Sequence, residues 1–338
     1  MTSADENVRS SWAELLSVSP VLAHLSGQAL TEAVAEGLLS PTAGELAGRF
    51  VVEAIIGEGG SGRVLRARHG LLGTPLALKM LSHALALSPG GARAFIREAS
   101  ILVHLDHPGI VRVLDVFAAH GTFFIVMPWL EGATLREHMD RGWVFDPQQV
   151  LEITEELLDA LVVLHAAGLV HRDVKPSNVL IKPSGRMVLI DFGIACQRDR
   201  PATVRHLVGS PTYCSPEQIL GRPLDGRSDV YSLACTLYEI VFGQPPFVAD
   251  DIDGVVDGHL HGTPRFDMTP KVPMGEPFLR WLRGCLSRTR AQRPDAAGAR
   301  AQLSYLIPPS PTDRSAPRAR VTVPVPMFLL TGEYSTNP

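Results

Sequence analysis

The chain has almost no lysine. Of its 31 basic residues only Lys79, Lys175, Lys182 and Lys271 are lysine, and the rest are arginine. Arg-rich coding accounts for arginine at ordinary surface positions, and it leaves each retained lysine either incidental or required. Positive charge is not in excess either. Lys+Arg 31 stands against Asp+Glu 35, a formal net charge of −4, which excludes the basic footprint of a nucleic-acid binder. Cysteine is scarce, with Cys196, Cys214, Cys235 and Cys285 forming no C-x-x-C pair and no paired zinc spacing. A disulfide framework is excluded, and a reducing, cytoplasmic compartment is expected. No run of 18 apolar residues occurs. The best candidate, residues 160–170, is broken by His165 and too short to cross a bilayer. Asp5 and Glu6 stand where a signal peptide would be basic, so neither a leader nor a membrane partner is expected.

What is present supports a large core. Hydrophobic residues make up 45% of the chain and charged residues 20%, which rules out wholesale disorder. At roughly 150 residues per domain, the length corresponds to about two folding units. Residues 1–48 place Trp12, Leu15, Leu16, Leu22, Leu25, Leu30, Val34 and Leu38 at roughly helical spacing, with Pro20 and Pro41 as punctuation, and predict a short helical extension. From Arg49 the pattern changes. Short β-branched or apolar runs at 50–56, 64–67, 76–80, 110–118 and 122–128 predict strands, with an amphipathic helix over 92–105 among them. Helical patterns dominate later, over 147–167, 228–242 and 277–287, interrupted by small strands at 178–182 and 187–190. Strands first and helices afterwards predict an α+β fold of two lobes. Residues 308–338 are rich in proline and read as an extended tail.

The chemistry-bearing residues lie in the middle of the chain. Gly57-Glu58-Gly59-Gly60-Ser61-Gly62-Arg63-Val64 matches G-x-G-x-x-G-x-V. Alone that pattern is weak. Here it leads into a second strand rather than a helix, which disfavours a dinucleotide turn and favours a hairpin folded over phosphates. Glycines let the backbone approach anions closely and donate N–H groups. Lys79 follows on a predicted strand and Glu98 on the predicted helix. A strand lysine can reach nucleotide phosphates, and a facing glutamate can hold it by an ion pair. His171-Arg172-Asp173-Val174-Lys175-Pro176-Ser177-Asn178 is the most specific signal. Asp191-Phe192-Gly193, Ser215-Pro216-Glu217, Asp229 opening D-V-Y-S-L, and Arg293 before Pro294 then follow in order.

In that order the motifs resemble those of eukaryotic-like (Hanks-type) protein kinases, and the bacterial Ser/Thr enzymes most of all. The resemblance covers about residues 49–307. It implies a two-lobed kinase fold, with a small β-rich lobe at about 49–129 and a larger helical lobe at about 130–307. It implies that Gly57, Glu58, Gly59, Gly60, Ser61 and Gly62 cover the phosphates of ATP. Lys79 would contact the α- and β-phosphates while paired with Glu98. Asp173 would accept or orient the substrate hydroxyl proton, and Lys175 would contact the γ-phosphate. Asn178 and Asp191 would hold magnesium, with manganese as an alternative. Val64 and Ala77 would lie above the adenine and Leu180 below. Met127 would close the back of the pocket, and the Pro128 carbonyl and Leu130 N–H would bond the base. Glu217 and Arg293 would form a buried ion pair of structural importance.

The resemblance further implies protein substrates phosphorylated on Ser or Thr, because Lys175 stands in the catalytic loop. It also implies a homodimer for trans-autophosphorylation. A binding module of the same fold would have lost Lys79, Asp173 or Asp191, and all three are present. A small-molecule phosphotransferase is disfavoured by Lys175 and by Ser215-Pro216-Glu217. Arg172 beside Asp173 points to control by phosphorylation of the loop between Asp191 and Glu217. Thr203 and Thr212 are candidate sites there, and Thr203 lies farther from the packed end of the loop. Phosphopeptide mapping of active protein is expected to find Thr203 modified; active protein with an unmodified Thr203 would remove that assignment.

Overall fold

The computed structural model describes residues 44–46, 48–59, 62–87, 91–192 and 211–306. The expected helices before residue 44, the proline-rich tail, Gly60, Ser61, Cys196 and Thr203 lie outside the described residues.

The first lobe is a six-stranded antiparallel sheet in the order β1-β2-β3-β4-β6-β5. Its strands are β1 (Gly44–Leu46), β2 (Phe50–Gly59), β3 (Gly62–His69), β4 (Pro75–Leu81), β5 (Asp115–Ala119) and β6 (Thr122–Pro128). Strand β1 pairs Gly44 with Val52 and Leu46 with Phe50. The sheet therefore begins before Arg49, inside the stretch expected to be helical. Strand alternation sorts the side chains of β3 and β4. Leu65, Ala67, Leu76, Leu78 and Met80 join Phe50, Val52, Phe117 and Phe124 in an upper core. The Phe117 ring stacks at 5.2 Å on Phe50 and at 5.0 Å on Phe124. Val64, Arg66, Ala77 and Lys79 alternate to the opposite face, where Val64 pairs with Lys79 and Arg66 with Ala77.

Two helices follow β4, α1 (His83–Ala86) and α2 (Gly91–Val103). Helix α2 buries Phe95, Ile96, Ala99 and Leu102 in a lower core that also takes Phe123, Ile125 and Met127 from β6 and runs on into the second lobe. The strand expected over 110–118 begins only at Asp115. Ile110, Val111 and Val113 are apolar because they are buried, and the chain there is an extended link. Val111 N–H donates to Leu189 at 2.9 Å and Leu189 N–H to Gly109 at 2.8 Å, which ties the lobes together.

The second lobe opens with β7 (Ala133–Thr134), α3 (Leu135–Asp140) and α4 (Pro147–Ala166). Reciprocal capping boxes start both helices, Thr134 with Glu137 and Asp146 with Gln149, and Pro147 sits in the first turn of α4. A small sheet β7-β8-β9 follows, with β8 at Val179–Ile181 and β9 at Met187–Leu189. The remaining helices are α5 (Pro216–Ile219), α6 (Arg227–Phe242), α7 (Ile252–His261), α8 (Glu276–Cys285) and α9 (Ala296–Leu306). Helix α6 is buried from Ser228 to Phe242, which makes it the axis of the lobe. It ends at Gly243 with φ 78°, a left-handed C-cap. The stem of Lys271 lies over that cap, where a Cβ on Gly243 would meet it at 2.2 Å. Lys271 thus brings a cation to a helix C-terminus.

Glu217 and Arg293 form an ion pair with side chains 5% and 0% exposed, and Ser228 Oγ donates to the same carboxylate at 2.6 Å. The pair fastens α5 to the chain ahead of α9. Arg293→Met leaves Glu217 buried without its cation and is expected to cost about 3–5 kcal/mol of unfolding free energy. Urea titration measures this, and a loss within about 0.5 kcal/mol would show the pair to be dispensable.

Candidate active site

The centre of the site is an irregular loop held from below. Asp229, fully buried near the start of α6, accepts backbone N–H groups of His171 and Arg172 at 2.8 Å each, and the His165 Nε2 lies 2.8 Å away. Arg172 has φ 69°, a conformation costly for a side chain of that size and stable only when its surroundings dictate it. Asp229 supplies that constraint. His171 is wholly buried, with Nε2 at 3.2 Å from the Ile190 carbonyl and its ring 4.8 Å from Phe192.

Above this foundation the loop presents three polar side chains together. Asn178 Nδ2 donates to the Asp173 carbonyl and to Asp173 Oδ2, both at 2.8 Å. Lys175 Nζ lies 2.8 Å from the same Oδ2. Asn178 ends a 3-10 turn over Pro176–Asn178 and is locked to the next strand because Ile190 N–H donates to its carbonyl at 2.9 Å. Asp191 follows at φ 56° and forms an ion pair with Lys79, which comes down from β4 and is 6% exposed. Lys79 Nζ also donates to the Phe192 carbonyl at 2.7 Å. Burial pushes the Asp191 carboxyl up, but the charge and hydrogen bond of Lys79 outweigh it and hold the group below its ordinary value of 3.8.

The expected Lys79–Glu98 pair is replaced by two others. Lys79 is engaged by Asp191 and Phe192, while Glu98 faces Arg172 Nη2 at 3.2 Å, both of them nearly buried. Buried charges require partners, and this exchange gives each carboxylate a cation.

The glycine hairpin spans Gly57 to Gly62, and Gly59 pairs with Gly62. Gly62 has φ 143°, and a Cβ there would lie 1.8 Å from the Met80 carbonyl oxygen, so no other residue fits without moving β4. Glu58, at the tip, pairs with Arg63 at 2.9 Å. Gly57 pairs with Val64, and Ala77 with Met127. This puts Val64 and Ala77 on the Lys79 face with Met127 buried behind. Pro128 closes β6, and Leu130, half-buried, packs on the lower core. Leu180 pairs with Thr134 on the opposite side of the cleft, and its side chain approaches Gly132. Thr212 lies in a 3-10 turn over Pro211–Tyr213.

Sequence reading missed several contributors. Arg66 places its guanidinium 4.8 Å from the Trp129 ring at the junction of the lobes, a contact that only the strand register reveals. Arg136 of α3 donates to both oxygens of Glu239 on α6, at 2.8 and 2.9 Å, and to Tyr213 at 2.6 Å. Asp229 was visible as the start of D-V-Y-S-L, but its partners lie 57 and more positions away in the chain.

The chain is similar in sequence and fold to known proteins. Residues 50–303 match the Protein kinase domain family. The chain belongs to the protein kinase family. The chain is 36% identical over 287 residues to serine/threonine-protein kinase pkn3 of Myxococcus xanthus, covering 81% of this chain and 52% of that one. It is 38% identical over 226 residues to PknB of Mycobacterium leprae, covering 65% and 36% respectively. The chain thus spans about half or less of these relatives. The crystal structure of the PknI kinase domain from Mycobacterium tuberculosis superposes with a TM-score of 0.60 at 28% identity, covering 79% of this chain and 99% of that one. Among the described residues no helix is long and apolar enough to cross a membrane.

The buried titratable groups of the kinase domain set its acid sensitivity. Burial raises the Asp229 carboxyl, yet the His165 contact and the Arg172 amide outweigh it and hold it below 3.8. Burial likewise raises Glu217, but Arg293 and Ser228 hold it below 4.5. Burial pushes the His171 imidazole below 6.5. In each case the unfolded chain takes up its proton at higher pH than the folded one, so stability falls on acidification. The thermal midpoint is expected to stay level between about pH 7 and 8, to decline below about 6.5, and to drop more steeply below about 4.5. A midpoint unchanged from about pH 7 to 4 would contradict this.

Proposed function

We propose that the protein is a serine/threonine protein kinase that transfers the γ-phosphate of ATP to Ser or Thr hydroxyls of protein substrates. The observation that carries this reading is the convergence of Asp173, Lys175 and Asn178 within hydrogen-bond distance, together with the Lys79–Asp191 ion pair that joins β4 to the segment after β9. Phosphoryl transfer needs positioning and charge stabilisation more than covalent chemistry, and these residues supply both. Asp173 is the group that takes the hydroxyl proton. Lys175 lies beside it as a point charge for the transferred phosphoryl oxygens. The glycine hairpin, with Gly62 kept bare by the β4 backbone, covers the other phosphates.

The donor set suits magnesium. Asp191 offers a carboxylate, and Asn178 uses its amide nitrogen on Asp173, which leaves its carbonyl oxygen as the second hard ligand. A magnesium ion there would neutralise charge on the phosphate oxygens, and manganese has the same ligand preference.

In the reactive arrangement Glu98 passes from Arg172 to Lys79. Arg97, Glu98 and Arg172 line a cavity of about 230 Å³ beside α2, together with Ile101, Leu169 and Leu224. A phosphorylated side chain from the loop between Asp191 and Thr212 would compete there for Arg172 and release Glu98. A homodimer would allow one copy to modify the other. Cys235 and Cys285 are buried free thiols, in keeping with a reducing, cytoplasmic compartment.

Incubation with labelled ATP, magnesium and a generic Ser/Thr protein substrate tests the reading. Asp173→Asn is expected to lower transfer by at least about 100-fold while ATP still raises the thermal midpoint. Equal labelling by wild type and variant would overturn the assignment.

A further inference from the structure

The stretch over residues 211–219 is fastened by groups already described. The Tyr213 hydroxyl donates to Glu239 Oε2 at 2.5 Å, and Glu217 is held by Arg293 and Ser228. Gln218 Nε2 donates to the Arg172 carbonyl at 2.8 Å, which ties the segment to the loop that carries Asp173. A fourth fastening comes from a residue with no part in the phosphate site. His259, on α7, is fully buried, and its Nε2 lies 3.1 Å from the Thr212 carbonyl oxygen. Its Nδ1 lies 2.8 Å from the Tyr231 hydroxyl on α6.

The tautomer follows from the partners. A carbonyl oxygen can only accept, so Nε2 carries the proton and donates to Thr212. Nδ1 is then the acceptor, and the Tyr231 hydroxyl donates to it. Burial lowers the imidazole to about 4, so this neutral form persists at physiological pH.

Helix α7 is placed to aim that ring. Asp251 Oδ1 caps its first turn by accepting Gly254 N–H at 2.7 Å. Arg288 Nη1 donates to the carbonyls of Leu260 and His261 at 3.3 and 2.7 Å at the other end. Gly258 lets the helix press on Phe247, since a Cβ there would meet the Phe247 Cβ at 2.8 Å. The Phe247 ring in turn stands edge-on to His259 with centroids 4.9 Å apart.

We propose that His259 is a positioning residue for the protein substrate. It acts through the Thr212 carbonyl, braced by Tyr231, and fixes the turn Pro211–Tyr213; because Gln218 ties the segment after that turn to the loop that carries Asp173, the chain flanking the acceptor hydroxyl would lie along it. This rests on the kinase reading above and deepens it. Nothing in the contact touches the glycine hairpin, Lys79 or the metal ligands, so its loss separates substrate binding from nucleotide binding and from chemistry.

The test uses the full chain with His259→Phe, His259→Gln and Tyr231→Phe. Phe keeps the ring against Phe247 and removes both hydrogen bonds, Gln restores a donor, and Tyr231→Phe removes one hydroxyl. With myelin basic protein as substrate, His259→Phe is expected to raise KM by about tenfold, the scale of one or two buried hydrogen bonds. KM for ATP and kcat should each stay within about twofold, since no transition-state contact is removed. Amide hydrogen exchange over residues 211–219 should speed up in His259→Phe while the interior of α6 stays protected. Partial recovery in His259→Gln and an intermediate effect in Tyr231→Phe complete the expectation. An unchanged KM for protein, a loss confined to kcat, or unchanged exchange over 211–219 would overturn the proposal. A wild-type chain that binds ATP yet transfers nothing would overturn the kinase reading alone, because the exchange measurement then decides whether His259 braces the turn.

Discussion

The site depends on one buried carboxylate. Asp229 is wholly withdrawn from water and accepts two backbone N–H groups of the catalytic loop, with His165 on its other side. An unpaired charge in that position would be very costly. The loop must therefore bring its amides to the carboxylate, even though this forces Arg172 to φ 69°. Once His171 and Arg172 are fixed, Asp173 has one orientation, and Lys175 and Asn178 gather around it. The strain is local and the compensation comes from α6, whose burial on nearly every side makes it rigid.

Around that centre the molecule distributes its charged groups in interlocking pairs. Lys79 takes Asp191, Arg172 takes Glu98, Arg136 takes Glu239 and Arg293 takes Glu217. Each joins elements far apart in sequence. Two of these arrangements differ in kind. Arg136 and Arg293 hold packed helices and segments together, and their partners have no competing cation nearby among the pairs described. The other two cross between the lobes, Lys79 of β4 reaching Asp191 and Glu98 of α2 reaching Arg172 of the catalytic loop.

Much of this was readable from residue order. The glycine hairpin, Lys79, the stretch from His171 to Asn178, Asp191, Glu217 and Arg293 carry chemistry that few other residues could replace, and their sequence spacing matches family motifs. The scarcity of lysine sharpened that reading. Lys79 and Lys175 occupy the two positions beside Asp191 and Asp173, where a compact ammonium fits and a wide guanidinium does not. Lys271 proved to cover the C-cap of α6. Apolar patterning was less decisive. Ile110, Val111 and Val113 looked like a strand because burial alone makes residues apolar, whatever the backbone does, and the short β1 carries too few residues for any period to show.

The sequence by itself determined which residues the chemistry would use and roughly which lobe each belongs to, because side-chain type and local period are properties of the chain. It did not determine who pairs with whom. Glu98 with Arg172, Asp229 with the backbone of the catalytic loop, and His259 with Tyr231 and Thr212 are contacts between distant positions. Only packing decides those, since a buried charge or imidazole takes the partner that the folded elements bring within reach.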